Sequence, residues 1–539
     1  DSWSYVSYNL PFFLTQTSNY QNLGLAFIDF DGDTLVDLWG MNYADQVGTH
    51  ATGGTAVLNN NPIPDQLTSI VFPQGGAIDV TLDGYIDTTA DIYTNVGSST
   101  INPVVVSDYS YSSGFGNEWS NSYDYANAGY YYATSSFRDR KFSGFGKVVR
   151  TDSLSKVTTY FHQGNGNATT SQEANDNVAK MGFVYRSDIN DLQNNLYQVK
   201  VNTYSTTSLG NTADFVKLDR ETRLDYDGDS GHRDVATEYS YNSATGTVSQ
   251  LTEWGRVTAD TDGTFSDVSG DKRVHTYAYA ASAPYNVSAL PARETVKNES
   301  NATTSEVRYY YDSQSLGSVT KGNLTKQEYW VATSSYIDRE WLYNGYGLVY
   351  QEKDPRDKTT TYVYETNNLY PATTTNPLSQ STRHTYDYSA GKPKTVIDPN
   401  NLTQTFVYDG LDRITQEQVP DSLTSASTTK TMYTYYDGSG TSSVRTQSYR
   451  SNASSTDTYS YLDGFGRQIQ SRSSAETSGQ YVVRDFKYGD NGLLRQESLP
   501  YFGTSSPRIH PTYLAPLYTT YTYDPQDRIS AIKTSVGTT

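Results

Sequence analysis

Four aspartates fall within nine residues in the stretch Phe27-Ile28-Asp29-Phe30-Asp31-Gly32-Asp33-Thr34-Leu35-Val36-Asp37-Leu38. Counted from Asp29, carboxylates stand at positions 1, 3, 5 and 9, supplied by Asp29, Asp31, Asp33 and Asp37. The Leu35 carbonyl is available at position 7, and Gly32 eases the turn. A short loop of this kind can wrap a hard cation in oxygen ligands, and Ca²⁺ is its natural occupant. A second copy, offset by 50 residues, keeps Asp79, Asp83 and Asp87 but has Thr81 at position 3, so with one carboxylate fewer it should hold the ion more weakly. The plainer alternative is a pair of acidic turns with solvated carboxylates. Against it, close carboxylates repel unless something neutralises them.

Other constellations are weaker. Gly228-Asp229-Ser230-Gly231 mimics a serine-protease nucleophile loop, but a triad also needs a base and an orienting acid in the right fold. The same stretch, with Asp225, Asp227, Asp229 and Asp234, imitates a calcium loop whose last acid comes one place late. A hairpin turn is expected there. The six histidines, at 50, 162, 232, 275, 384 and 510, form no local zinc pair, and with no cysteine there are neither disulfides nor thiolate metal sites. No motif selects a carboxylate pair for glycoside hydrolysis. Seven Asn-x-Ser/Thr sequons, including Asn167, Asn298, Asn301 and Asn401, are about what chance gives in a chain so rich in Ser and Thr, so they permit glycosylation without demonstrating it.

What must position these residues is a β-rich scaffold. Leu25-Ala26-Phe27-Ile28 and Val36-Asp37-Leu38-Trp39 read as strands around the first acidic loop, and Ala56-Val57-Leu58 as a strand before the second. Further on, one phrase keeps returning: an aromatic strand ending in Tyr-Asp, a turn that usually carries Gly, then Arg or an aliphatic residue that restarts a strand. Clear copies are Tyr408-Asp409-Gly410-Leu411-Asp412-Arg413-Ile414, Tyr461-Leu462-Asp463-Gly464-Phe465-Gly466-Arg467, Tyr488-Gly489-Asp490-Asn491-Gly492-Leu493 and Tyr523-Asp524-Pro525-Gln526-Asp527-Arg528-Ile529. Looser ones sit at Tyr241, Tyr311, Tyr343, Tyr364, Tyr386 and Tyr436. From Tyr343 to Tyr408 the step is 21, 22 and 22 residues, the period of a stacked array. In Tyr521-Thr522-Tyr523-Asp524 the two tyrosines share one face of an extended strand, and the Asp carboxylate suits the first position of a turn. Each unit is expected to be a β-hairpin, with aromatic pairs of neighbouring units meeting across strands.

Composition agrees. The 539 residues include 50 Tyr and 40 Gly but only 3 Met, which favours sheets and turns over helix bundles. A net charge of −19 and a pI near 4.7 argue against nucleic acid and anionic membranes as partners, and no apolar run is long enough to span a bilayer. The chain begins without Met or a secretory signal and is expected to be a piece of a longer protein.

The strand-flanked acidic loops resemble FG-GAP/VCBS repeats, the calcium-holding blades of integrin-like propellers. Acidic blades, a Tyr-rich junction and then Tyr-Asp hairpins is the order of large RHS/YD-repeat proteins, and the chain resembles the Tc-toxin B/C cocoon sub-group. Supporting this, Phe137-Arg138-Asp139-Arg140-Lys141-Phe142-Ser143-Gly144-Phe145-Gly146-Lys147-Val148, followed by Thr159-Tyr160-Phe161-His162-Gln163-Gly164, is similar to that family's junction, and Gly-Phe-Gly recurs at 114–116 and 464–466. The resemblance implies an all-β fold in which hairpins stack into a curved, spiralling shell. It divides the chain into blades (1–105), junction with the first shell strands (106–235) and repeat shell (236–539). It further implies a non-enzymatic, secreted or cell-surface wall around a carboxy-terminal, toxin-like polypeptide. The partners expected are the protein's own upstream and downstream segments, with a protein or glycan at the blades. The alternatives are a surface adhesion or assembly protein without cargo and, third, a carbohydrate-active enzyme. The family's autoproteolytic core segment is not found before Thr539, so neither protease nor toxin is assigned to these residues.

Overall fold

The computed structural model describes strands 26–28, 37–41 and 54–57, and then residues 67–534 apart from 84–92, 95–103, 117, 133–139, 165–174, 210–212, 269, 283–286, 421–426, 438–441, 452–453 and 505–516. The described elements are strands, with one 3-10 turn at Val178–Lys180. Ala26–Ile28, Asp37–Met41 and Gly54–Val57 form a small antiparallel sheet in that order. All the other strands join one ribbon. It runs from Ser69–Val71 to Ile529–Lys533, each strand pairing antiparallel with its neighbours along the chain apart from local branches and one short parallel pair, Tyr93–Thr94 with Glu118–Tyr132. No pairing joins the two end strands among the described residues, so the ribbon is open. Pairing is unbroken across 105/106 and 235/236: Val105–Ser112 pairs with Ala77–Asp83, and Arg233–Tyr241 pairs on both sides.

The ribbon is mostly one layer thick. Few of its described apolar side chains are buried, Val199, Leu224, Tyr461 and Val483 among them. Apolar burial is local. The largest cluster, Val199, Leu224, Ala236, Val257 and Ala259, lies where the hairpin carrying Phe265–Asp267 folds back over the sheet, with the Gly263 carbonyl accepting from the Thr222 hydroxyl at 2.8 Å.

With so little core, polar chemistry at each turn sets the geometry. In the turn at Asp409, one carboxylate oxygen accepts from the backbone N–H of Leu411 (2.9 Å) and Arg413 (3.0 Å), and the other from Arg413 Nε (2.9 Å). The turns at Asp463 and Asp524 repeat this pattern with Arg467 and Arg528. Positive φ falls three residues after the acid, at Asp412, Gly466 and Asp527, as in a type I turn closed by a left-handed bulge residue. The Gly that directly follows the acid, as at 410 and 464, is not the left-handed one.

The tyrosine has a second task. Tyr343, Tyr364, Tyr386 and Tyr408 each end a strand at a register shift, opposite the residue that restarts the next strand, and a Tyr of the following unit donates its hydroxyl to that residue's carbonyl. Tyr364 donates to Val349, the partner of Tyr343; Tyr386 to Pro371, the partner of Tyr364; and Tyr408 to Pro393, the partner of Tyr386 (2.7–3.0 Å). The chain of bonds extends back through Tyr343, Tyr311, Tyr279 and Tyr241, and forward to Tyr435 and Tyr523. Burial raises the hydroxyl pKa of Tyr311, Tyr343, Tyr408 and Tyr523, keeping them donors at neutral pH. Arg413 and Arg467 complete the joint by stacking on the next unit's Tyr435 and Tyr488, at 4.1 and 4.2 Å. Ring-on-ring contact between neighbouring units was expected at this position. Such contact occurs where Tyr386 stacks on Tyr370 at 4.5 Å and where Tyr459 meets Tyr481; hydroxyl and guanidinium contacts recur beside it, and at the 436 copy the donor is Tyr435, leaving Tyr436 exposed.

Candidate functional site: the seam where the ribbon meets itself

A meander of hairpins has two edges of turns. In the second half of the chain the Tyr-Asp turns occupy one edge. The turns at 72–76, 113–116, 152–154, 191–195 and 226–229 lie on the opposite edge of the first strands. These two edges meet, as they must when a ribbon winds into a spiral and its next turn lies against its first.

Contact is closest at the Asp463–Arg467 turn. The Gly464 N–H donates to the Ser113 carbonyl at 2.9 Å. A Cβ on Gly76 would lie 2.5 Å from the Gly464 carbonyl oxygen, and one on Gly464 would overlap the Gly76 nitrogen, so both positions need glycine. Beside them Phe465 inserts between Phe72 (5.5 Å) and Trp119 (5.2 Å), and Trp119 stacks on Tyr111. Arg467, paired with buried Asp463 at 2.7 Å, lies over the Trp119 ring and donates to the Gly492 carbonyl. Such aromatic pairs contribute ~0.5–1.5 kcal/mol each beyond their buried area.

Further along, the Asp524–Arg528 turn meets the 152–154, 191–197 and 226–229 turns. Arg528 pairs with Asp227 at 2.6 Å across 301 residues of sequence, and Asp227 has φ 54°. An open cleft of ≈300 Å³ remains between Tyr197, Leu154, Tyr523 and Pro525. Burial raises the pKa of Asp527 there, helped by Asp152 and opposed by Arg150. The seam therefore has an aromatic, glycine-packed end and a wetter, ionic end.

The two junction segments also pack together. Gln163 donates to the Asn127 and Gly144 carbonyls (2.5 and 3.1 Å), so its side chain clamps the Gly144-Phe145-Gly146 triplet, and a Cβ on Gly146 would strike it. Buried His162 bonds Asp176 at 3.1 Å between Tyr185 and Tyr204, and buried Lys180 donates to the Asn175 carbonyl. This cluster braces the first strands.

The candidate calcium ligands fare differently. Asp29, Asp31, Asp33 and Leu35 lie outside the described residues; Asp37 opens the strand Asp37–Met41. Asp79, Thr81 and Asp83 do not form a loop. They lie on the strand Ala77–Asp83, paired with Val105–Ser112, and Asp87 is outside the described residues. Along a strand, alternate residues follow one another at ~6.6 Å intervals, so these three are spaced over roughly 13 Å of extended backbone rather than around a loop. Asp79 accepts instead from the Ser69 hydroxyl at 2.7 Å. No cluster of three or more metal-ligating side chains is found among the described residues. The Gly228–Gly231 stretch is a hairpin turn: Asp225 accepts from Gln198 and Arg223, Asp227 pairs with Arg528, and Asp234 accepts from the Ala259 N–H. No described helix is long and apolar enough to cross a membrane.

No protein-family profile and no curated protein matches the chain by sequence. Solved structures do match by fold. A crystal structure of TcdB2-TccC3 superposes with a TM-score of 0.70 at 12% identity, over 98% of this chain and 38% of that one. TcdB2-TccC3 without its hypervariable C-terminal region gives 0.70 at 11%, over 98% and 40%. A Photorhabdus luminescens Tc holotoxin pore gives 0.71 at 11%, over 97% and 39%. The chain thus spans about two-fifths of the length of these proteins. At this identity the likeness speaks for the fold, which is the all-β, spiralling sheet of the Tc-toxin RHS-repeat shell.

Proposed function

We propose that this chain is a structural wall, non-enzymatic, in a secreted or surface-exposed RHS-type shell that encloses a toxin-like polypeptide. The observation that carries this reading is the seam. A single-layer sheet with little core, wound until opposite edges meet and fastened there by Gly464 and Phe465, is a shape suited to enclosing something. The fold likeness supports it, and one matching structure is described as TcdB2-TccC3 without a hypervariable C-terminal region. Limited proteolysis of the full-length protein tests the reading. Any segment following Thr539 should resist protease in the native protein and become accessible when Phe465→Glu opens the aromatic end of the seam. Immediate cleavage of that segment in the unaltered protein would instead favour the adhesion or assembly reading.

For the first acidic loop, Asp29, Asp31, Asp33, Leu35 and Asp37 are proposed as Ca²⁺ ligands on their spacing alone. Chelation should lower the melting temperature of the native protein but not of Asp33→Ala. An EDTA-insensitive melting curve would remove the metal from the account. The strand conformation of Ala77–Asp83 gives no such support to the second set.

A further inference from the structure

Asparagine stands where other turns have aspartate at Asn344, after the strand-ending Tyr343, and at Asn376, on the opposite edge of the ribbon. The Asn344 side-chain oxygen accepts from the N–H of Tyr346 (2.9 Å) and of Leu348 (3.1 Å), the two places that Asp409 serves at Leu411 and Arg413. A turn of this kind folds the carboxamide back over the peptide that follows it. Here that peptide belongs to Gly345, whose N–H donates to no protein acceptor among the described residues. Gly345 is exposed, a Cβ on it would meet nothing within 4 Å, and Tyr346 at the tip is 75% exposed. An uncrowded, unbonded nitrogen thus lies beside a carbonyl carbon whose oxygen already faces two N–H donors, where negative charge would develop on attack.

Two other asparagines lack one part of this arrangement. In Asn491-Gly492 the Gly492 N–H donates to the Gly489 carbonyl at 3.0 Å, the Gly492 carbonyl accepts from Arg467 at 2.8 Å, and a Cβ on Gly492 would lie 3.2 Å from Trp119. That pair is locked into the aromatic end of the seam. At Asn376 the side-chain oxygen accepts from Leu378 and Gln380 much as at Asn344, but Pro377 follows, and its nitrogen has no proton to give up.

We propose that Asn344 is a site of spontaneous deamidation built into the turn after Tyr343. The Gly345 nitrogen loses its proton to hydroxide and attacks Asn344 Cγ. A C–N bond closes a five-membered succinimide; the Cγ–Nδ2 bond breaks, and its electron pair leaves with Nδ2, which takes up a proton and departs as ammonia. Water then opens the ring. Addition at Cγ gives aspartate, the residue that the turns at 409, 463 and 524 already use, so the turn contacts survive. Addition at the main-chain carbonyl gives isoaspartate, which lengthens the main chain by one carbon inside the turn that Asn344 N–H closes on the Leu348 carbonyl at 2.8 Å.

The test follows the intact protein by peptide mass spectrometry during incubation at neutral and at mildly alkaline pH. The Asn344 peptide should convert at least ~tenfold faster than the Asn376 and Asn491 peptides, and faster at the higher pH, because its attacking nitrogen is free where theirs is alkylated or bonded. Gly345→Ala, for which the turn has room, should slow conversion at least ~tenfold without moving the melting temperature, by crowding the attack. Unfolding in urea should raise the Asn491 peptide to the Asn344 rate and leave the Asn376 peptide slow, separating the effect of the fold from that of the sequence. Conversion at Asn344 no faster than at Asn376 or Asn491 in the native protein, or undiminished by Gly345→Ala, would overturn the proposal.

Discussion

The turns Asp409–Arg413 and Asp463–Arg467 are built alike and meet different fates. Both begin with an aspartate that accepts from the backbone two and four residues on, both follow it with glycine, and both end in an arginine stacked on the next tyrosine. One ends in solvent with Leu411 bare. The other is pressed against the start of the ribbon, with Gly464 on Gly76 and Phe465 among Phe72, Tyr111 and Trp119. The repeat therefore makes the ribbon, and what each turn tip meets on the next winding makes the seam. Turn chemistry is local and can be copied indefinitely; seam chemistry belongs to particular tips.

That contrast can be broken most forcefully at the paired glycines. Gly464→Ala forces a methyl into the Gly76 backbone and should cost about 3 kcal/mol or more, with loss of amide protection at 72–76 and 113–116. Gly410→Ala, at the equivalent place with nothing within 4 Å, should be neutral or up to about 1 kcal/mol stabilising. Equal costs in thermal melting and hydrogen exchange would mean that the two turns do not differ as described.

A smaller effect tests what they share. Tyr408→Phe removes the donor to the Pro393 carbonyl and should cost about 1 kcal/mol, with faster exchange confined to the neighbouring hairpins; Tyr523→Phe should behave alike at the far end of the ribbon. If Tyr408→Phe is silent, the tyrosines act by ring packing alone.

At the ionic end of the seam, a double-mutant cycle on Asp227→Ala and Arg528→Ala should give a coupling of about 0.5 kcal/mol, vanishing in high salt, because both groups are half exposed. A large, salt-independent coupling would make this end, rather than the aromatic one, the main fastening.

The smallest expected effect is local and acid-driven. Burial tends to raise the Asp312 pKa, but N–H groups of Gly322, Thr320, Lys321 and Asn323 outweigh it and hold the carboxyl at about 2, below its ordinary 3.8. A lowered folded-state pKa contributes stability that is present above the unfolded value and lost as pH falls toward 2. Amide protection of 320–323 should therefore fade between about pH 4 and pH 2 in the native protein but not follow that titration in Asp312→Asn.

Much of the wall was legible in the sequence. Tyr521 and Tyr523 share a face, the acid caps its turn, and the period marks the array, because all of these are short-range consequences of strand and turn geometry. The Gly-Phe-Gly triplets at 114–116 and 464–466 were visible as a repeat, yet nothing local says that Gly464 meets Gly76 and the carbonyl of Ser113; that meeting depends on the pitch of the spiral, set by all the strands between. The pairing of Phe142–Gly146 with Gln163 was likewise visible only as two neighbouring motifs. The stretch Asp79–Asp83 reads two ways for a physical reason. Acids at every second residue fit a cation loop and the polar face of a strand equally well, and the apolar Ile78, Val80 and Leu82 between them belong to the strand.

The most direct test of the account is a cryo-electron microscopy map of the full-length protein at side-chain resolution. The account predicts a wound ribbon with Phe465 seated between Phe72 and Trp119 and the Asp524–Arg528 turn resting on Tyr226–Asp229. A ribbon whose early and late turns stand apart, splayed into an open sheet with no interior, would contradict it.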